Sequence, residues 1–503
     1  MLRRASAASR MSSAAEDVLT SATAGGRVIR GSVLRVLSNG AGILIGLATA
    51  TLLLRHLGVV ESGRYVTVLS LVAIASSVVD LGLNVSASRE LALREPDGRR
   101  ALMANILGQR LWITPIALLA IVTFAVLAGY PASMRIGAAM AGLGLYAVAL
   151  ADALLLPLTV ELRNAGLAFV DFLKQAVALA GVALLVALGA HLTAFFAVLF
   201  VVGLVVIAVI PLLAGPAAFM RPRWDRTEQR TLLHRALPLA LALVLGQIYF
   251  RLVILLMSLV SDSQQTGYFG GSLRAMEVLV GIPILVAGVA LPVLAAAARD
   301  DRARLRYAIE GLSEGAIIAG VLVVIVTIRA AEPVMTIIGG HAFRPAGDVL
   351  RIQVAALMFG ALVQIWAVAL VALGAQRELI LTNALGLLGV TLFALVLVGP
   401  FGARGGAAAS VLGDVLLASL IYWRLHARHV KVRIRRAFLV RVALAAALAA
   451  LALALPVPGL IAAALAGALF LGVGQLIGMV PVEVHDALGS TGLLRRGERS
   501  SVR

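Results

Sequence analysis

The groups in this sequence best suited to chemistry are charged side chains set inside long apolar runs. Arg251 stands deep in the run 236–259, with Gln247 one helical turn earlier on the same face. Arg35 opens the run 33–54 and heads a stripe of small and polar residues, Ser38, Asn39, Gly42, Gly46 and Thr49, at helical spacing. Arg110 lies near the start of the run 104–128, and carboxylates appear as Asp80 in 65–85, Asp152 in 134–157 and Asp414 in 404–425. If such runs cross a bilayer, an ionisable residue at mid-depth costs about 2.5–3.5 kcal/mol on insertion scales. Each must then face a wet cavity or a partner of opposite charge.

Both uses stay open for most of these residues. Arg251 is either a cavity cation for an anionic substrate or one half of a salt bridge, with Asp414 as the candidate partner. Arg35 and Arg110 either line a cleft or reach back to the headgroups. Asp80 either carries a proton or a cation, or pairs with Arg35 or Arg110, and Asp152 has the same two readings. Lys174 follows Asp171 by three residues and Glu277 follows Arg274 by three, a spacing at which opposite charges on one helix neutralise each other. Arg35, Arg110, Arg251 and Arg274 fall at different depths, and a stepped set of guanidinium groups suits a substrate bearing a phosphate or diphosphate. The candidate substrate-binding set is therefore Arg35, Asn39, Arg110, Gln247 and Arg251, and the candidate ion-coupling set is Asp80, Asp152 and Asp414.

Other chemistries lack their residues. The chain has no Cys, and its seven His are scattered without an HExxH pair, so no metal site and no cofactor is expected. No GxxxxGK[ST] occurs, so ATP hydrolysis within this chain is not the expected energy source. No nucleophile–base constellation stands out, and an enzyme is not expected.

The elements that must position these charges are membrane helices. Hydrophobic residues make up 61% of the 503, charged residues 14%, and mean hydropathy is +1.01, against about 45–50% and 25% in soluble proteins. Fourteen runs are long enough to span: 33–54, 65–85, 104–128, 134–157, 168–188, 192–214, 236–259, 274–297, 312–330, 350–372, 379–399, 404–425, 438–455 and 459–480. Both termini inside puts the long basic segments on one side, as the positive-inside rule requires. The other side carries only Arg55, Arg64, Arg135, Arg329, Arg344 and Arg404, and its longest segment, 331–349, is too short for a catalytic domain. That rule accounts for the net charge of +18, and no nucleic-acid partner is expected.

Two echoes suggest a duplication. Ser62-Gly63-Arg64-Tyr65, between the first two runs, resembles Thr266-Gly267-Tyr268-Phe269, between the seventh and eighth. Leu173, Ala176, Gly181, Val182 and Leu184 recur as Leu381, Ala384, Gly389, Val390 and Leu392. Six runs separate the partners each time, so orientation is preserved. The expected fold is an all-α polytopic membrane protein of about fourteen transmembrane helices. Two six-helix lobes are related by a pseudo-two-fold axis along the membrane normal, with two extra C-terminal helices. Its parts are a basic cytoplasmic tail (1–31), an N-lobe (32–214), a basic linker (215–235), a C-lobe (236–425), a basic loop with the last two helices (426–481) and a second tail (482–503).

Several stretches resemble one family. Leu57-Gly58, Gly63-Arg64-Tyr65, Asp80-Leu81-Gly82-Leu83 and Ser88-Arg89-Glu90 are similar to the first two helices of polysaccharide-biosynthesis flippases, in the multidrug/oligosaccharidyl-lipid/polysaccharide exporter superfamily. Leu237-Pro238, Ile248-Tyr249-Phe250-Arg251, Gly339-Gly340-His341-Ala342-Phe343, Leu373-Gly374-Ala375-Gln376-Arg377 and Phe401-Gly402-Ala403-Arg404-Gly405-Gly406 resemble its later segments. The resemblance spans roughly residues 30–425. It implies alternating access around a central cavity and transport of a polyprenyl-diphosphate-linked saccharide across the cytoplasmic membrane. It also implies driving by an ion gradient or membrane potential, and partners among membrane lipid, polysaccharide polymerases and glycosyltransferases. Members often carry an acidic residue two positions after the arginine of the seventh helix, where this chain has Val253. Alternatives are a lipid-linked peptidoglycan precursor flippase, a cation-coupled drug exporter and a non-transporting scaffold of a polysaccharide assembly complex.

Overall fold

The computed structural model of the chain describes residues 22–80, 90–91, 94–160, 164–215, 220–300 and 302–479. Among them are fourteen α-helices and no strand. In chain order these are α1 (Ala22–Asp80), α2 (Pro96–Leu127), α3 (Ala132–Leu154), α4 (Leu156–Val160), α5 (Asn164–Ala187), α6 (Leu192–Phe196), α7 (Val198–Ala214) and α8 (Arg226–Val260). There follow α9 (Ser263–Asp300), α10 (Arg302–Gly339), α11 (Ala346–Ala372), α12 (Gln376–Ala427), α13 (Arg436–Leu453) and α14 (Gly459–Leu476).

Helices and crossings do not correspond one to one. The sequence predicts loops between the first two runs and again near 400–403. The chain instead turns on one residue in each place, Gly58 (φ 70°, ψ −174°) inside α1 and Gly402 (φ 53°, ψ −131°) inside α12. Only a residue without a Cβ holds such angles without strain, and Pro400 removes a helical hydrogen bond just before the second break. Thus α1 and α12 each cross twice. The short α4 continues α3, and α6 joins α7 through Ala197 into one crossing. The described helices make fourteen crossings, and α9 and α10, at 38 residues each, extend beyond the expected runs.

α1, α2, α3, α5 and α7 form one lobe and α8 to α12 the other, with α1 packed along α8 and α9 between them. The repeated motifs meet at this junction. Gly63 and Gly267 abut so closely that a Cβ on Gly63 would lie 2.7 Å from the Gly267 nitrogen, and one on Gly267 would lie 2.1 Å from the Val59 carbonyl oxygen. Equivalent residues touch each other only near the axis that relates them. The second echo keeps equivalent packing: Gly181 of α5 receives Val198 of α7, and Gly389 receives Leu416 across the break in α12.

α13 and α14 pack together and against α10. Glu310 of α10 accepts from the Arg433 backbone (2.8 Å), Glu314 lies 3.6 Å from Arg435, and Arg329 donates to the Val457 carbonyl (3.3 Å). The end of the bundle that holds Arg302, Arg428, Arg433 and Arg435 is the basic end. The opposite end pairs its arginines: Arg64 with Glu61 (2.6 Å), Arg344 with Glu332 (2.5 Å), and both Arg351 and Arg404 with Asp348. Because the protein has no native cysteine, single cysteines at the exposed Arg344 and Lys431 can report this arrangement. A membrane-impermeant maleimide should label them from opposite faces of the membrane, and labelling of both from one face would mean a miscounted crossing.

Candidate functional site

A cavity of about 650 Å³ opens between the lobes, walled by α1, α5 and α9. The α1 stripe contributes Gly42, Gly46 and Thr49, as expected of a face turned to a cleft. Gln175 of α5 lies opposite, 3.8 Å from where a Cβ on either glycine would stand. The side chains of Arg35 and Asn39, at the head of the same stripe, lie outside the described residues.

The charged groups at this cavity differ from those the sequence singles out. On the α9 wall, Arg274 donates from Nη1 to Oε2 of Glu277 (2.8 Å). Behind them Arg251 of α8 brings Nη1 to 2.6 Å from the other oxygen, Oε1. One carboxylate thus bridges two guanidinium groups from successive helices. Arg251 is not part of the cavity wall, and its side chain is 14% exposed. The proposed partnership of Arg251 with Asp414 is therefore replaced by one with Glu277. Val253 is buried in an apolar cluster, and the carboxylate beside Arg251 belongs to the next helix. Arg274 and Glu277 do pair across one turn, as their spacing predicts, but their pairing does not remove them from the site.

On the opposite wall, Lys174 of α5 donates to Oδ1 of Asp152 on α3 (2.8 Å). Its spacing from Asp171 suggests a bond within one helix, and the structure gives it a partner on another. Lys174, Asp171 and Gln175 all line the cavity. Among the described residues, the wall therefore sets Lys174 and Arg274 against Asp171 and Glu277.

The remaining candidates lie elsewhere. Arg110 of α2 donates to Oδ1 of Asp80 at 2.5 Å, with the arginine 4% and the aspartate 31% exposed. This is the structural pairing, one of the two uses weighed for Asp80. Gln247 is half-buried and lines neither this cavity nor the groove described next. Asp414 accepts from the Tyr249 hydroxyl (2.7 Å) beside Gly360 and Gly413. No ion pair reaches it among the described residues.

A second hollow, of about 500 Å³, adjoins the first and shares Leu47 and Val278 with it. It is an apolar groove between α9, α10 and α14, lined by Leu279, Val326, Ala330, Ala464 and Leu471. Nothing in the sequence points to this groove, because Leu, Val and Ala are its commonest residues. Only the docking of α14 against α10 reveals it.

The sequence matches no protein-family model and no curated protein. The fold has clear counterparts among solved structures. The lipid II flippase MurJ in an inward closed conformation superposes with a TM-score of 0.70 at 11% identity, over 91% of this chain and all of that one. An inward-facing multidrug resistance MATE-family transporter of the MOP superfamily gives 0.63 at 15% identity, over 79% of this chain and 98% of its own. A eukaryotic MATE transporter gives 0.58 at 14%, over 80% and 98%. At such identities the likeness is one of fold, and the two-lobed arrangement here rests on it together with the meeting of Gly63 and Gly267.

The Arg110–Asp80 pair has a thermodynamic signature. Removing one member of a buried ion pair strands the other and costs about 3–5 kcal/mol in full burial, less here because Asp80 is partly exposed. Arg110→Met should lower the Tm of the detergent-solubilised protein more than the double variant Arg110→Met/Asp80→Asn. An equal loss in both would show that the pair does not hold α1 to α2.

Proposed function

We propose that this protein is a flippase that moves a polyprenyl-diphosphate-linked oligosaccharide, the precursor of a surface polysaccharide, across the cytoplasmic membrane by alternating access. The observation that carries this reading is the shared border of the two hollows. A cavity edged by the charged Arg274 and Lys174 shares the wall residues Leu47 and Val278 with an apolar groove beside α14. A lipid-linked sugar has that same division. Its sugars and diphosphate need hydrogen-bonding groups and cations, and its polyprenyl chain needs none. In the cavity the diphosphate meets Arg274 and Lys174, with Arg251 behind Glu277. Arg110, buried against Asp80, serves the fold. The basic end faces the cytoplasm, following the positive-inside rule, and puts both termini there.

Asp414 suits the ion-coupling role best. Asp80 and Asp152 each hold a described cation, whereas Asp414 is held by the Tyr249 hydroxyl and has glycines beside it. An intramembrane carboxylate in that setting can take up a proton or a cation and give it back. Mid-membrane arginines disfavour the drug-exporter alternative, whose cationic substrates call for acidic cavities. The likeness to MurJ favours a second reading, a lipid-linked peptidoglycan precursor as substrate.

In cells of the source organism, Arg274→Ala should abolish surface polysaccharide while the protein still inserts, and growth should continue. Swelling and loss of viability would favour the peptidoglycan precursor instead. Ala464→Trp, which fills the exposed groove without touching the charges, should block export of the lipid-linked substrate. Unchanged export would remove the groove from the path. Asp414→Asn should abolish the response of transport to an imposed proton or sodium gradient, and a response equal to wild type would exclude Asp414 from coupling.

A further inference from the structure

The charges around the cavity are balanced in a way that bears on how an anion could enter and leave. Each cation whose pairing is described, Arg251, Arg274 and Lys174, already holds a carboxylate: Glu277 for the two arginines and Asp152 for the lysine. An incoming diphosphate therefore meets no vacant cation among them. It must take one from its partner.

Glu277 is built for that exchange. Its two oxygens serve different arginines, Oε1 facing Arg251 at 2.6 Å and Oε2 accepting from Arg274 at 2.8 Å. Arg274 and Glu277 border the cavity, and Arg251 stands behind them. If Arg274 turns from Oε2 to an anion in the cavity, the carboxylate keeps Arg251 as counter-charge and is never left alone in the membrane. Without the second arginine, the same step would strand a carboxylate in low dielectric, at the cost that makes broken buried pairs so unfavourable. Arg251 Nε and Glu277 Oε1 are both buried with no hydrogen-bond partner, so the two side chains meet as an ion pair without a hydrogen bond at that oxygen. The Nε is a donor in reserve as the carboxylate shifts toward Arg251.

We propose that Glu277 is an internal counter-anion: it occupies Arg274 in the empty carrier, yields that arginine to the substrate's diphosphate while Arg251 retains it, and returns to Arg274 to expel the anion on release. The proposal rests on the anion-carrying reading given above and makes Glu277 the residue that sets substrate affinity against turnover. It gives different roles to two arginines that share one carboxylate, Arg274 contacting the substrate and Arg251 holding the displaced carboxylate.

The test measures binding of inorganic pyrophosphate to the purified full-length protein in detergent, by calorimetry, beside transport of a fluorescent polyprenyl-diphosphate sugar in vesicles. Glu277→Gln keeps the shape and removes the competing charge. Pyrophosphate should then bind more tightly, by about ten- to a hundredfold, the range expected of one hydrogen bond between charged groups, while transport slows because nothing displaces the anion. A general structural defect would weaken binding. Arg251→Gln/Glu277→Gln removes the carboxylate together with its holder and should also bind tightly, so a folding failure of the single variant leaves the test intact. Adding Arg274→Ala to either should abolish the gain. Binding equal to or weaker than wild type in both glutamine variants would overturn the counter-anion role and leave the anion cavity standing. Absence of pyrophosphate binding in wild type and every variant would overturn the anion cavity itself.

Discussion

A charge inside a membrane bundle must be answered by another, because hydrocarbon offers neither water nor dielectric screening. That constraint organises this protein. Its intramembrane pairs join helices that follow one another: Arg110 with Asp80 ties α2 to α1, Lys174 with Asp152 ties α5 to α3, and Arg251 and Arg274 share Glu277 across α8 and α9. The first stabilises one lobe away from the cavity. The other two lie at the cavity between the lobes, where the proposed anion draws on the same side chains that neutralise each other.

The architecture was largely legible in the sequence, and the reasons are physical. Each run of apolar residues long enough to span became a crossing, since the backbone inside a bilayer has little choice but to close its own hydrogen bonds. The duplication was readable from Ser62-Gly63 and Thr266-Gly267 because a close approach at the axis admits only glycine, and a position so constrained keeps its residue in both halves. Boundaries were less legible. A left-handed glycine turns the chain in a single residue at Gly58 and Gly402, and hydropathy cannot tell that from a longer loop.

The charged groups were legible in kind but not in partner. Residue types and depth singled out arginines and carboxylates within the spans, and the pairing of Asp80 with Arg110 was among those foreseen. Spacing along one helix then misdirected the rest. An i, i+3 pair such as Arg274–Glu277 reads as self-satisfied, yet a carboxylate has two oxygens, and the second reached Arg251 on another helix. Lys174 likewise found Asp152 across a helix–helix interface. Partners that meet through tertiary packing leave no periodic trace. The apolar groove at α14 left none either, since lipid-facing and groove-facing alanines have the same composition.

A charged cavity and an apolar groove share Leu47 and Val278 as wall residues, and in the proposed function they hold the two parts of a lipid-linked sugar. The most direct measurement reconstitutes the wild-type protein in vesicles with two fluorescent lipids that share one polyprenyl chain and one sugar. One is joined through a diphosphate, the other through a neutral linkage. The account predicts that the diphosphate-linked lipid crosses at a rate set by the protein and the neutral one stays at its background rate. Equal transport of both would contradict it, because the cavity's guanidinium and ammonium groups would then have no part in recognising what is carried.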